Sequence, residues 1–228
     1  MLWRQKFDTF IRVYDGEVGY LTNRGNFKDM VADASGAVFL RALSRQPRPF
    51  AEMLRELQES FSGVEPGELA RDAAEFYGKL EEDGFIVSGA SPEELDRKDA
   101  RFSYAELLPK TMREDFTPEI PRADKDTQAY LEDYFKHRPQ LFQFQFELTG
   151  RCNERCLHCY IPQGKKSGDI APELFSRVLE ECREMGVLSL TFSGGEPMLH
   201  PRFTDFLREA KQYDFSINVL SNLTLLND

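Results

Sequence analysis

The sequence has little of what marks a membrane, secreted or nucleic-acid-binding protein. No apolar run approaches the ~20 residues that a membrane span needs. The opening Met1-Leu-Trp-Arg-Gln-Lys-Phe-Asp8 is mixed in charge and lacks the apolar core of a signal peptide. Basic residues are outnumbered, 29 Lys and Arg against 39 Asp and Glu, for a net charge of -10. Such a chain gains nothing from the counterion release that drives general nucleic-acid binding. There is no internal repeat and no low-complexity tract, and the default compartment is the cytoplasm. Cysteine is scarce, with four in 228 residues, and three of the four fall in one short stretch. In a reducing compartment that clustering indicates metal or redox chemistry rather than a disulfide frame. Cys182 stands alone inside a helical pattern and reads as a small buried hydrophobe.

What is present suits ordinary globular cores: 41% of residues are hydrophobic, enough for one large domain or two small ones. Phe10–Tyr14, Val18–Leu21 and Phe27–Ala32 are β-rich runs separated by turn residues Asp15-Gly16 and Thr22-Asn23. A helix capped by Asp33 or Ser35 follows, then one from Pro49 to Phe61 and one from Pro66 to Gly84. Phe85–Val87 is a further short strand. Between Ser88 and Gln140 prolines punctuate a charged, weakly periodic stretch, which reads as a linker with one or two short helices, one of them over Thr127–Lys136. Beyond it the rhythm changes. Phe142, Phe144, Phe146 and Leu148 alternate as a strand, Pro172–Met185 is an amphipathic helix, and Val187–Phe192 is an apolar strand. A helix over Pro201–Tyr213 and a strand over Phe215–Leu220 complete the series. Strands alternating with helices predict a parallel sheet or partial barrel.

The chemistry-bearing residues follow these strands. Gly150-Arg-Cys152-Asn-Glu-Arg-Cys156-Leu-His-Cys159-Tyr160 comes directly after the first. A structural zinc site takes four ligands, usually as two separated pairs, and no second pair follows here. A [4Fe–4S] cluster takes four thiolates, so three would leave one iron open to a small-molecule chelator. Ser193-Gly194-Gly195-Glu196-Pro197 follows the second strand and Ser221-Asn222 the third. Ligands bind at that rim of parallel α/β sheets and barrels. Glycines there admit close backbone approach, and Glu196 is placed to accept a hydrogen bond from an ammonium group.

Cys-x3-Cys-x2-Cys after a strand, followed by Gly-Gly-Glu-Pro, resembles the signature of the radical S-adenosylmethionine superfamily. The resemblance implies a [4Fe–4S] cluster on Cys152, Cys156 and Cys159. It implies S-adenosylmethionine held by His158, Tyr160, Ser193, Gly194, Gly195, Glu196, Pro197, Ser221 and Asn222. It further implies an electron donor such as flavodoxin or ferredoxin, and a 5′-deoxyadenosyl radical that abstracts hydrogen from substrate. No residue acting on the substrate radical is indicated.

The first ninety residues, with Gly19–Gly25, Lys28–Ala32 and Phe76–Ile86, resemble a RiPP recognition element of the PqqD-like kind. Such winged-helix domains bind the leader segments of ribosomally made peptides. A DNA-binding winged helix would need a basic third helix, whereas Glu68, Asp72, Glu75, Glu81, Glu82 and Asp83 outnumber Arg71 and Lys79 here. The expected architecture is therefore α/β. A small winged-helix-like α+β domain occupies residues 1–88, a linker 89–140, and the first half of a radical SAM partial barrel 141–228. The expected function is peptide modification by the N-terminal portion of a longer enzyme of the SPASM or twitch-bearing kind. The alternatives are a truncated, non-catalytic peptide-binding module and a zinc-binding winged-helix protein, with a structural cap as the plain reading of the first domain.

Overall fold

The computed structural model describes residues 1–99, 125–161 and 168–226. The chain forms two compact units, Met1–His137 and Arg138–Asp228, both of mixed α and β structure.

In the first unit β1 (Leu2–Gln5) lies between β5 (Arg48–Pro49) and β6 (Ile86–Gly89), all antiparallel. A second antiparallel sheet runs β2 (Thr9–Tyr14), β3 (Val18–Asn23), β4 (Lys28–Ala32). Asp15 and Gly16 both have positive φ, and Glu17 N–H donates to Tyr14 O, as in a primed hairpin turn. Asn23 fixes the next turn: its Oδ1 accepts from the amides of Gly25 and Asn26, and its Nδ2 donates to Gly84 O. Three helices follow: α1 (Ala34–Arg41), α2 (Phe50–Ser60) and α3 (Pro66–Glu82). Asp33 caps α1 by accepting from Gly36 N–H at 2.9 Å, so of the two expected caps Asp33 is the one used. Pro66 opens α3, Glu65 caps it, and Gly84 at φ +81 ends it. Leu21, Leu40, Met53, Leu57, Tyr77, Leu80 and Ile86 form the core, with Tyr77 Oη donating to Phe39 O at 2.8 Å.

Two short helices fall in the stretch read as a linker after residue 88, the second of them close to the helix expected over Thr127–Lys136. Helix α4 (Pro92–Lys98) is capped by Ser91 and buries Leu95 completely. Arg4 pairs with Asp96 at its C-terminal half and with Asp99 just beyond it. One buried leucine in a charged seven-residue helix leaves no periodic signal. Helix α5 (Lys125–Phe135) lies against β4, with the Phe135 ring edge-on to Tyr14 at 5.2 Å. The expectations placed on residues 100–124 lie outside the described residues.

The second unit is a parallel sheet in the order β7 (Gln143–Thr149), β8 (Ser189–Gly194), β9 (Ser216–Val219). Helices α6 (Pro172–Glu184) and α7 (Phe203–Lys211) connect consecutive strands. Pro172 opens α6, and Gly186 at φ +70 follows its end. Phe175 and Phe206, both fully buried, stack at 4.0 Å over Phe146, Leu190 and Phe192. Cys182 is part of this core, and burial pushes its thiol up to about 11, as expected of a packing residue. Among the described residues no helix is long and apolar enough to cross a membrane.

Candidate functional site: three loops on one edge of a parallel sheet

Parallel pairing brings the C-terminal ends of β7, β8 and β9 to one edge, so the loops that follow them are neighbours. The first two loops are zipped through backbone. Gly195 N–H donates to Thr149 O at 2.7 Å, and Glu196 N–H donates to Arg151 O at 2.8 Å. Both glycines are required by this approach. Gly194 sits at φ +129, and a Cβ there would stand 2.3 Å from Thr149 O. A Cβ on Gly195 would stand 2.1 Å from Arg151 O, well inside contact. The glycines thus bring the second loop onto the backbone that leads into Cys152.

Glu196 ties the third loop to the second. Its side chain is buried, 1% exposed. Oε1 accepts from Ser221 Oγ at 2.9 Å and Met198 N–H at 3.0 Å, and Oε2 accepts from Asn222 N–H at 2.8 Å. A carboxylate offers about four acceptor positions, so an incoming ammonium group meets one with about a single position left. Asn222 then reaches back to the cysteine loop, donating from Nδ2 to Asn153 Oδ1 at 2.9 Å. Asn153 donates in turn to Thr224 Oγ1 at 2.7 Å.

The root of the cysteine loop is held separately. Arg151 straddles Asp169, with Nε to Oδ1 at 3.1 Å and Nη2 to Oδ2 at 2.8 Å, and Nη2 also donates to Leu199 O at 2.9 Å. Thr149 Oγ1 donates to Asp169 Oδ1 at 2.6 Å and accepts from Arg151 N–H at 3.1 Å. The Thr149 hydroxyl, and after it the Arg151 guanidinium, hold the Asp169 carboxyl below the usual carboxylate range. His200 is buried between these segments. Its Nδ1 accepts from Arg202 N–H, so its Nε2 carries the proton toward Ile170 O at 3.2 Å.

Cys152 and Cys159 are half-buried, Cys156 is exposed, and none is in a disulfide. Among the described residues no three His, Cys, Asp or Glu side chains stand close enough together to hold a metal ion. The donor set nonetheless fits an iron–sulfur cluster in kind: three thiols outside any disulfide on one loop, held at its root by Arg151 and Thr149, with Cys152 Sγ accepting from Glu154 N–H at 3.4 Å. His158 is exposed. Tyr160 is also exposed, with Oη 3.2 Å from Glu147 Oε1 and 3.4 Å from Ser193 Oγ. Pro197 is buried and opens a single 3₁₀ turn, Pro197–Leu199. The structure therefore joins Gly194, Gly195, Glu196, Ser221 and Asn222 in one network and sets Tyr160 beside Ser193. His158 and the three thiols are not drawn into a cluster. Thr149, Arg151, Asn153, Asp169, His200 and Thr224 belong to the network but stood in the sequence only as spacers or loop residues.

The structure thus sets a cysteine-bearing loop and a Gly-Gly-Glu-Pro turn on adjoining parallel strands of an α/β unit. Residues 146–228 match the sequence model of the Radical SAM superfamily. Among curated relatives, the tungsten-containing aldehyde ferredoxin oxidoreductase cofactor-modifying protein of Pyrococcus furiosus is 38% identical over 85 residues. That match covers 36% of this chain and 24% of the relative. The antilisterial bacteriocin subtilosin biosynthesis protein AlbA of Bacillus subtilis is 33% identical over 89 residues, 39% of this chain and 20% of its own. The PqqA peptide cyclase of Gluconobacter oxydans is 33% identical over 84 residues, 36% and 24% respectively. The chain thus spans about a quarter or less of the length of these relatives. Among solved structures, Streptococcus suis SuiB bound to precursor peptide SuiA aligns with all of this chain and 44% of its own, at 15% identity and a TM-score of 0.48.

Proposed function

We propose that this chain is the leader-binding and cluster-binding portion of a radical SAM enzyme that modifies a ribosomally made peptide. The observation that carries the reading is the hydrogen-bonded seam joining the loops after β7, β8 and β9, with Glu196 at its centre. Cys152, Cys156 and Cys159 would hold a [4Fe–4S] cluster. Gly194, Gly195, Glu196, Ser221, Asn222, Ser193, Pro197, His158 and Tyr160 would surround S-adenosylmethionine. When bound, that pair supplies one-electron hydrogen abstraction, and the protein supplies binding and orientation. In this reading the glycines admit the ligand to the backbone, and Glu196 keeps the second and third loops in register. An electron donor such as flavodoxin or ferredoxin would act in the cytoplasm. Two curated relatives are named for maturing peptide products, subtilosin and PqqA, which supports a peptide as the substrate class.

Residues 141–228 serve in this proposal as the first half of a partial barrel. Residues 1–88 serve as a winged-helix-like recognition domain of the PqqD-like kind, and 89–140 join the two. The antiparallel β2–β3–β4 hairpin sheet supports that assignment, because among the described residues β4 pairs with β3 alone in its sheet, with helix α5 also lying against it. An extended peptide adds to such an edge through its own backbone. On α3 beside that edge, Tyr77 and Leu80 are fully buried core. Phe76 and Met30 are half-buried and pack against that core, Phe76 also lines a cleft beside β4, and Val31 is half-buried.

The test is anaerobic reconstitution of the full chain with iron and sulfide, followed by absorbance and electron paramagnetic resonance. Wild type and Cys182→Ala should take up an oxygen-sensitive cluster, and Ala at Cys152, Cys156 or Cys159 should abolish it. Stoichiometric zinc and no cluster after reconstitution would falsify the assignment.

A further inference from the structure

Beside the end of β4 a cleft of ≈ 430 Å³ opens between the start of α1 and one stripe of α3. Its floor is apolar. Phe76 lies along it with Ala32 and Gly36, where even a Cβ on Gly36 would stand 2.7 Å from the Ala32 Cβ and 3.3 Å from the Phe76 ring. Its rim is charged and unbalanced. Asp33, Asp72 and Glu75 face Lys79 alone. Residues 72, 75, 76 and 79 are three or four apart on α3, so they share one face of that helix. Asp33 commits Oδ1 to the α1 cap, which leaves Oδ2 open. Asp72 and Glu75 are exposed and have no cationic partner among the described residues.

From this we infer that the segment docking here is an extended peptide stretch with an apolar side chain flanked by Lys or Arg. The apolar side chain would cover Phe76 and Ala32, and a neighbouring cation would meet Asp72 and Glu75. An acidic segment would leave three carboxylates facing like charge, so the cleft selects by sign as well as by shape. The inference rests on the leader-binding reading above and adds to it the chemistry of the leader.

The experiment uses the full chain and three labelled synthetic peptides of one length, each with the same alternating Leu and Phe. They carry Lys, Gln or Glu at the remaining positions, and binding is read by fluorescence anisotropy. The Lys peptide should bind roughly three- to tenfold more tightly than the Gln peptide, as two exposed charge pairs allow. The Glu peptide should bind most weakly, and raised salt should erase the differences. The double variant Asp72→Lys, Glu75→Lys alters only exposed positions and should reverse the order. Equal binding of all three peptides, lost on Phe76→Ala, would overturn the charge inference while leaving the leader-binding reading in place. No binding of any peptide at its solubility limit would remove both.

Discussion

Replacing Glu196 by Gln tests the seam most directly, because it preserves shape and removes acceptor capacity. The carboxylate is 1% exposed and accepts three hydrogen bonds, two at Oε1 and one at Oε2. An amide nitrogen cannot accept, so whichever way the substituted side chain is turned, at least one donor faces another donor. The gentler setting puts nitrogen at the Oε2 position and strands the Asn222 N–H. The bond lost there is charge-assisted, worth about 1.5–3 kcal/mol, and the two that remain weaken to neutral ones. A local cost of about 2–3 kcal/mol follows, set against a typical total stability of ~5–15 kcal/mol. Amide hydrogen exchange resolved at Met198 and Asn222 measures it without any cofactor. Exchange at Asn222 should speed up by roughly thirtyfold or more, since each 1.4 kcal/mol is about tenfold. Amides of β7 and β8 should keep most of their protection. Ser221→Ala, which leaves the carboxylate both of its backbone donors, should cost only about 1 kcal/mol. Unchanged exchange at Asn222 in the Glu196→Gln variant would mean that Glu196 does not hold the third loop, and the proposed site would lose its centre.

The Asp169 latch should weaken in acid. Its folded pKa is depressed, so its contribution is complete above the ordinary carboxylate pKa and is lost as pH falls through the folded value. Thr149→Ala removes the leading cause of that depression and should move the loss to higher pH, as followed by NMR titration of the Asp169 carboxyl. Gly195→Val should displace the backbone at Arg151, since its Cβ would lie 2.1 Å from a carbonyl oxygen. Reconstituted iron content should fall along with S-adenosylmethionine affinity, and a variant that keeps full cluster occupancy would refute this view of the glycine. In the first unit, Tyr77→Phe removes only the hydroxyl that donates to Phe39 O and should cost about 1 kcal/mol in urea unfolding.

Elements that bury an apolar stripe were legible from sequence to within about two residues at most ends, as α2, α3, α6, β7 and β8 illustrate. Each has both a hydrophobic period and a terminating Pro or Gly, and the two signals agree. The elements that escaped lack one or the other. Strand β1 is four residues, Leu2–Gln5, whose pairing partners β5 and β6 lie more than forty residues away, and no local pattern encodes such a register. Helix α4 has a capping Ser-Pro start but buries one leucine, and charge dominates its composition. Sequence periodicity registers burial of a stripe, so an element anchored by one side chain and two ion pairs is invisible to it.

The site divides along the same physical line. Cys152, Cys156, Cys159 and the Gly-Gly-Glu-Pro turn stand out because their chemistry is uncommon at that spacing. The residues that assemble the site are common ones whose partners are remote: Arg151 reaches Asp169 and Leu199, and Asn153 reaches Asn222 and Thr224. Parallel pairing of β7, β8 and β9 brings Leu199 to Arg151 and Asn222 to Asn153, and an antiparallel bridge between Thr149 and Asp169 sets Asp169 beside Arg151. The same geometry changes the reading of Glu196. As a residue after two glycines it looked like a ligand for an ammonium group. As a buried acceptor of three protein donors it is first a brace between loops. Any contact it makes with a cofactor must share that carboxylate with Ser221, Asn222 and Met198.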